Sequence, residues 1–395
     1  MSDAHRKALP AALWLLAFSL AAFNLRAPIV VIGPVLDPIM HALDIGAGAA
    51  SLLTTGMILC FGVLSPLAPG VAERFGLDRS IAAALVAIAL GGVLRGIESF
   101  PVMLIGTLVA GLGIAFGNVF MPSLVKRDRP QQLGRTMGIY TVVMGIGATL
   151  GAGTAVPLMQ LAGSWTLPVR LWAGVGVVAA VLWWALALRH PPAPGESRQT
   201  RITRLFASPV AWTLTIFMGM QSLGFYTLQT WVPSVALSAG VPEASAGAML
   251  SVINFTSIPA SYLIARLAAR LRHHSLLVLA LCTLIAIGLV GLWGAPTQAP
   301  MLWSVLLGAG QGGCFSFALT MIVMRTAHSH HAAMLSGMAQ SLGYLMAAGG
   351  PLIFGALHSM TGSWQLSLGL LLALLGIQVV AGLLIGRPRM VELAE

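Results

Sequence analysis

The chain has 395 residues, of which 57% are hydrophobic and only 8% charged, against roughly 25% charged in an ordinary soluble domain. That balance excludes a water-soluble globular fold and points to a chain that lives in lipid. The net charge of +10 would suit a nucleic-acid partner, but its placement excludes one. Of 21 Lys and Arg residues, 18 fall at the two ends or near 72–79, 126–135, 189–204, 266–272 and 325. These are alternate connections between apolar runs, which is the bias that marks cytoplasmic loops. A multi-pass membrane protein is expected, with both termini cytoplasmic.

In chain order, apolar runs cover 9–36, 47–71, 80–97, 101–125, 133–160 and 166–188, then 209–236, 244–267, 275–294, 300–325, 333–358 and 364–386. About 20 residues of helix cross about 30 Å of hydrocarbon, so twelve transmembrane helices are predicted. Arg6 and Lys7 precede the first run as in a signal peptide, yet eleven spans follow, and an uncleaved helix is the expectation. The stretch 189–208 is polar and proline-bearing, with Pro191, Pro192 and Pro194, and reads as a cytoplasmic linker. It separates an N-terminal six-helix half (1–188) from a C-terminal one (209–395).

The two halves are copies. A shift of 199 residues, with no gap, superposes Pro34 on Pro233, Pro101 on Pro300, Gly111-x-Gly113 on Gly310-x-Gly312 and Gly163-Ser164-Trp165 on Gly362-Ser363-Trp364. So many matches at one offset mark an internal duplication. Six spans per copy give both copies the same orientation, the parallel-repeat plan of secondary transporters, which hold solute between halves at mid-depth. Glycines crowd the fifth and eleventh spans, where small residues let helices approach closely.

Three basic residues escape the loops: Arg26, Arg95 and Arg170. Arg95 and Arg170 sit at outer helix ends, where long side chains can snorkel to water, and Arg95 has Glu98 one turn on. Arg26 lies seventeen residues into the first run, about 25 Å of helix rise. An arginine there costs at least about 2.5–3.5 kcal/mol. All eleven Asp and Glu residues are at termini, loops or helix ends, so Arg26 is expected to face water, backbone carbonyls or a ligand. A fixed cation in a wet cavity suits an anion or the electron-rich end of a polar molecule; the structural alternative is bonding of carbonyls freed by Pro28 or Pro34. On the seventh run Gln221, Phe225 and Gln229 form an i, i+4, i+8 stripe. With Arg26 and with Asn254, Gln311 and Tyr344 at similar depth, they are the predicted substrate-binding residues; Thr55, Asn118, Tyr140 and Gln340 are further candidates. For each polar residue taken alone, bonding between helices is the competing reading.

Other features exclude functions. The missing buried carboxylate removes the common acidic proton relay of membrane antiporters. Cys60, Cys282 and Cys314 lie inside spans and read as small apolar residues. His358 near an outer helix end could titrate, and His328, His330 and His331 read as a solvated cytoplasmic loop. No catalytic residue, metal or cofactor is predicted.

Glu73-Arg74-Phe75-Gly76, followed by Arg79, resembles the cytoplasmic loop motif of the major facilitator superfamily, with Glu in place of Asp. Gly138, Gly147 and Gly151 have the spacing of that superfamily's antiporter motif, with Ala152 where its proline stands. Asn24-Leu25-Arg26-Ala27-Pro28, Leu52-Leu53-Thr54-Thr55, Ser65-Pro66-Leu67-Ala68-Pro69, Gly113-Ile114-Ala115 through Asn118, Lys126-Arg127-Asp128 and Leu335–Tyr344 are similar to the cyanate/2-nitroimidazole transporter family, more to its nitroimidazole-exporting branch. The resemblance implies an all-α membrane protein of two pseudo-symmetric six-helix halves working by alternating access. A secondary transporter of a small polar or anionic solute, working as a monomer in a bacterial inner membrane, is therefore expected. Export of neutral nitro-heterocycles or drugs is the alternative, and a non-transporting sensor or scaffold the second.

Overall fold

The computed structural model describes residues 11–45, 47–188 and 202–391, among which all regular structure is helical. Most of the expected linker, 189–201, lies outside them. The described residues form two compact units, one within Met1–Leu124 and Val143–Arg198, the other within Val125–Val142 and Gln199–Glu395. The segment Val125–Val142 thus packs with residues that follow it by more than a hundred positions.

The first copy of the repeat contains α1 (Ala11–Asn24), α2 (Ala27–Val30), α3 (Leu36–Leu43), α4 (Ala47–Leu64), α5 (Ala68–Phe75), α6 (Leu77–Arg95), α7 (Phe100–Asp128), α8 (Leu133–Gly153), α9 (Ala155–Ala162) and α10 (Thr166–Ala187). The second contains α11 (Pro209–Ser238), α12 (Glu243–Arg270), α13 (Ser275–Gly294), α14 (Pro300–Met324), α15 (Ser329–Thr361) and α16 (Gln365–Ile385). Shifted by 199, α6 would run 276–294 and α10 365–386; α13 and α16 match them to within one residue.

The copies differ where prolines differ. The first predicted span is not one helix. It breaks at Leu25–Arg26 and again at Gly33–Val35, because Pro28 and Pro34 remove amides from the helical ladder and crowd the preceding turn. The counterpart of Pro28 is Thr227, and α11 runs unbroken for 30 residues even with Pro233 inside it. Likewise Pro66 and Pro69 interrupt the second span, whereas Ala265 and Ala268 continue α12.

By length and composition, ten described segments can cross a membrane. The other two of the twelve are α11 and α15, of 30 and 33 residues. Neither contains Asp, Glu, Lys or Arg; Gln, Ser, Thr and Tyr interrupt their apolar runs. At about 1.5 Å per residue they are longer than the hydrocarbon is thick. Inside the second unit, α12 and α14 are cross-braced: Ser261 Oγ donates to the Gly312 carbonyl at 2.9 Å and Ser316 Oγ to the Ser261 carbonyl at 2.6 Å. Such side-chain bonds substitute for water that lipid cannot supply.

Candidate functional site

In the first unit the site is the break between α1 and α2. Arg26 occupies it as the residue capping α2, with φ −127° and ψ −43°, and its side chain is half-buried. Its amide bonds the Phe23 carbonyl at 3.2 Å, and its carbonyl accepts from Ile29 at 3.0 Å. Glycines of α8 make the break possible to pack: a Cβ on Gly147 would stand 2.7 Å from the Phe23 carbonyl oxygen, and one on Gly151 2.9 Å from that of Ala27. The glycines of the expected antiporter-like pattern therefore press against the two residues that bracket Arg26. Asn24 turns away, donating to the Leu20 carbonyl at 2.8 Å within its own helix, and lies against Gly176 of α10.

Two expectations for the other arginines meet different outcomes. Arg170 donates twice to the Gly96 carbonyl, at 3.1 and 2.9 Å, and caps the end of α6. Arg95 does not snorkel or pair with Glu98. It is 1% exposed and donates through Nη1 to the Pro28 carbonyl, while Glu98 is exposed. Small residues of α7 and α10 bring those helices close to α6, which encloses the side chain: Gly106 abuts the Arg95 amide, and Ala173 abuts Gly92. Arg95 thus serves the carbonyl of Pro28.

The second unit gathers its polar residues in separate groups. Gln229 Nε2 donates to Asn254 Oδ1 at 2.9 Å, joining α11 to α12, and Asn254 Nδ2 holds the Leu250 carbonyl at 2.9 Å. Phe225 meets Tyr226 edge-on with centroids 5.4 Å apart, and Tyr226 meets Tyr344 at 6.3 Å. Gln221 is 1% exposed and donates to Ser222 Oγ at 2.6 Å, so the expected i, i+4, i+8 stripe is divided, its first member turned into the packing. Gln311 lies with Gln378 on a cavity of about 10 Å³ among leucines of α11, α13 and α16, about one water in size. Gln340 bonds Ser336 at 2.7 Å. Asn118 and Tyr140 are buried, and the side chain of Thr55 lies outside the described residues.

Gln378, an amide in the middle of the leucine-rich helix α16, is a residue that sequence reasoning missed, although its polarity at that depth was a visible signal. Another miss is a polar clasp at the helix ends. Arg325 Nη2 donates to the Ile385 carbonyl at 2.9 Å and to His274 Nδ1 at 3.2 Å, and His274 Nε2 meets the Ala268 carbonyl at 2.8 Å. A carbonyl only accepts, so Nε2 carries the proton and Nδ1 is left to accept from the guanidinium. Burial pushes the His274 pKa below its ordinary value, and the Arg325 charge adds to that, against the opposing effect of the Ala268 carbonyl.

The loop motif is built as local backbone chemistry requires. Gly76 joins α5 to α6 at φ 83°, ψ 148°, a region essentially confined to glycine. Glu73, Arg74 and Arg79 are exposed, and the Arg74 guanidinium sits 5.4 Å from the Phe75 ring centre. His330 and His331 belong to the first turn of α15 rather than to a loop, His358 stacks on Trp364 at 3.7 Å, and the three cysteines are buried free thiols.

Residues 14–351 match the family model of the Major Facilitator Superfamily. The chain belongs to that superfamily. It is 35% identical over 369 residues to the 2-nitroimidazole transporter of Escherichia coli (strain K12), covering 93% of this chain and 94% of that one. It is 28% identical over 353 residues to the cyanate transport protein CynX of the same organism, covering 89% and 91%. Within the superfamily it falls in the cyanate/2-nitroimidazole transporter family. The solved fucose:proton symporter FucP of E. coli shares the fold, with a TM-score of 0.75 at 12% identity over 93% of this chain and 98% of that one. Like its relatives, this superfamily member is a multi-pass membrane transporter of a small-molecule solute.

Proposed function

We propose that this transporter is a secondary carrier, not an enzyme, which moves a small polar or anionic solute across a bacterial inner membrane by alternating access. In this reading an N-terminal half (1–188) and a C-terminal half (209–395), joined by the linker 189–208, exchange access while both termini stay cytoplasmic, and the protein works as a monomer. Arg26 is the anchor for the anionic or electron-rich end of the solute. The observation that carries this is a half-buried guanidinium at a helix break, in a stretch where α1, α2 and α8 contain no Asp or Glu. A break leaves peptide groups that a solute can meet without disturbing a helical ladder. Gln229, Asn254, Phe225 and Tyr344 are the proposed wall of the second half; Gln221 and Gln311 act there by supporting it. Glu73, Arg74, Gly76 and Arg79 are the conformational loop.

A neutral nitro-heterocycle is the second reading, favoured by the 35% identity to a 2-nitroimidazole transporter. There the nitro group would take the place of the anion on Arg26. Ligand binding to the native state raises the melting temperature by mass action, so thermal stabilisation across cyanate, small carboxylates and nitroimidazoles, in wild type and Arg26→Ala, tests both. Stabilisation by one class that the substitution abolishes supports the anchor and selects the class. Equal stabilisation of wild type and Arg26→Ala by the same solute refutes the anchor.

A further inference from the structure

The chemistry of Arg95 is unfinished. Its side chain is 1% exposed, and a guanidinium stays charged at any pH a protein tolerates. Nη1 is used by the carbonyl of Pro28, one of the carbonyls left open at the end of the four-residue helix α2. Nε and Nη2 are buried and have no hydrogen-bond partner among the described residues. These two are not any two donors. They form one edge of the guanidinium plane, with parallel N–H bonds at the spacing of the two oxygens of a carboxylate or similar planar oxyanion. A third donor is in the same condition: Trp172 Nε1 of α10 is buried without an acceptor, and its ring packs on Phe23, on the other side of the break, with centroids 5.3 Å apart. Donors left over around one helix break, with a permanent cation among them, ask for an acceptor that is also negative.

We propose that Arg95 holds a small planar oxyanion, of the carboxylate or nitrite class, on its Nε/Nη2 edge inside the first unit. The site is separate from Arg26 and does not rest on the role proposed for that residue. Bidentate recognition explains why an arginine serves here, since a lysine could satisfy the Pro28 carbonyl but has no parallel pair to offer. The ion can be a resident counter-charge that completes the fold around the α1–α2 break, or the anionic group of the solute itself.

The test is equilibrium binding of radiolabelled formate to the purified full-length protein, with nitrite and chloride as competitors. Saturable formate binding is expected, displaced by nitrite at concentrations at least about tenfold lower than chloride, because two oxygens meet the parallel N–H bonds in line whereas a single sphere takes both only at bent, weaker angles. Arg95→Gln should abolish binding and Arg95→Lys weaken it by about tenfold or more, whereas Arg26→Ala should leave it intact. Absence of saturable formate binding in wild type, displacement by chloride as readily as by nitrite, or unchanged binding in Arg95→Gln would each overturn the proposal. The competition series needs only wild type, so its failure overturns the proposal even if the variants do not fold. Uptake of the same formate into proteoliposomes separates the two sources: bound and transported means solute, bound and not transported means a resident ion. Loss of formate binding in Arg26→Ala with retention in Arg95→Gln would place the anion at Arg26 instead and overturn the Arg95 site alone.

Discussion

The first span of one copy and the first span of the other descend from one sequence, yet they carry different chemistry. In the first copy the helix is broken at Leu25–Arg26, a cation sits in the break, and glycines of α8 lie directly on the flanking carbonyls. In the second, α11 is continuous, Phe225 replaces the arginine, and polarity is supplied by neutral amides and a tyrosine pair. The close approach of the fifth span is kept by both: Gly350, the counterpart of Gly151, lies within 3.1 Å of the Leu223 carbonyl oxygen if given a Cβ. Duplication therefore preserved the packing device, and divergence by proline and arginine put the charge on one side only. The lesson is that a repeat can keep the packing of its scaffold while its charge changes residue by residue.

That comparison can be broken at several points. Gly151→Val should have the largest effect, because its branched side chain meets the Ala27 carbonyl where no flexible side chain can yield; overpacking of this kind costs about 1–3 kcal/mol or more. Thermal unfolding should show a large loss of stability, and an unchanged melting temperature would mean that α8 does not rest on the break. Pro28→Thr introduces the second copy's residue. It should restore the helical ladder at no loss of stability while lowering the transport rate about tenfold, equivalent to about 1.4 kcal/mol. Full activity in that variant would show that the break is incidental.

A third difference is the clasp at the helix ends, which only the second copy has: the counterparts of His274 and Arg325 are Phe75 and Lys126. Because the folded state holds the His274 pKa below its ordinary value, the unfolded chain binds the proton more readily. The stabilisation is fully present above about pH 6.5 and is lost as pH falls below it. Melting temperature against pH should therefore fall more steeply for wild type than for His274→Phe, with parallel curves as the contrary result. The smallest effect is expected at Gln229 and Asn254. A double-mutant cycle with Gln229→Ala and Asn254→Ala should give a coupling of about 0.6 kcal/mol, the average found for hydrogen bonds between membrane helices. Zero coupling would leave the pair without energetic content.

Much of this was legible in the sequence. Hydropathy and the 199-residue offset placed the helices within a few residues, since lipid demands long apolar runs whatever their neighbours. Side-chain direction was less legible. The 3.6 period aligned Gln221 with Phe225 and Gln229, but Ser222 and Met218 offer Gln221 an internal partner, and only packing reveals that choice. Arg95 and Arg26 were both visible as charges in a membrane span. Which of them is enclosed depends on glycine and alanine contacts among α6, α7 and α10, between residues far apart in the chain. Pro28 marked a disturbance in the first span, while Pro233 in α11 shows that a proline alone does not decide between a break and a tolerated kink.

The central claim is that Arg26 meets the solute. It is tested most directly by initial rates of cyanate and 2-nitroimidazole transport in proteoliposomes, for wild type, Arg26→Lys and Arg26→Ala reconstituted in equal amounts. Loss of a charge-assisted hydrogen bond of about 1.5–3 kcal/mol predicts that Arg26→Ala loses about 10- to 100-fold in rate at low concentration of the transported solute, with Arg26→Lys retaining part of it. Wild-type rates in Arg26→Ala, for a solute that wild type demonstrably moves, would contradict the account.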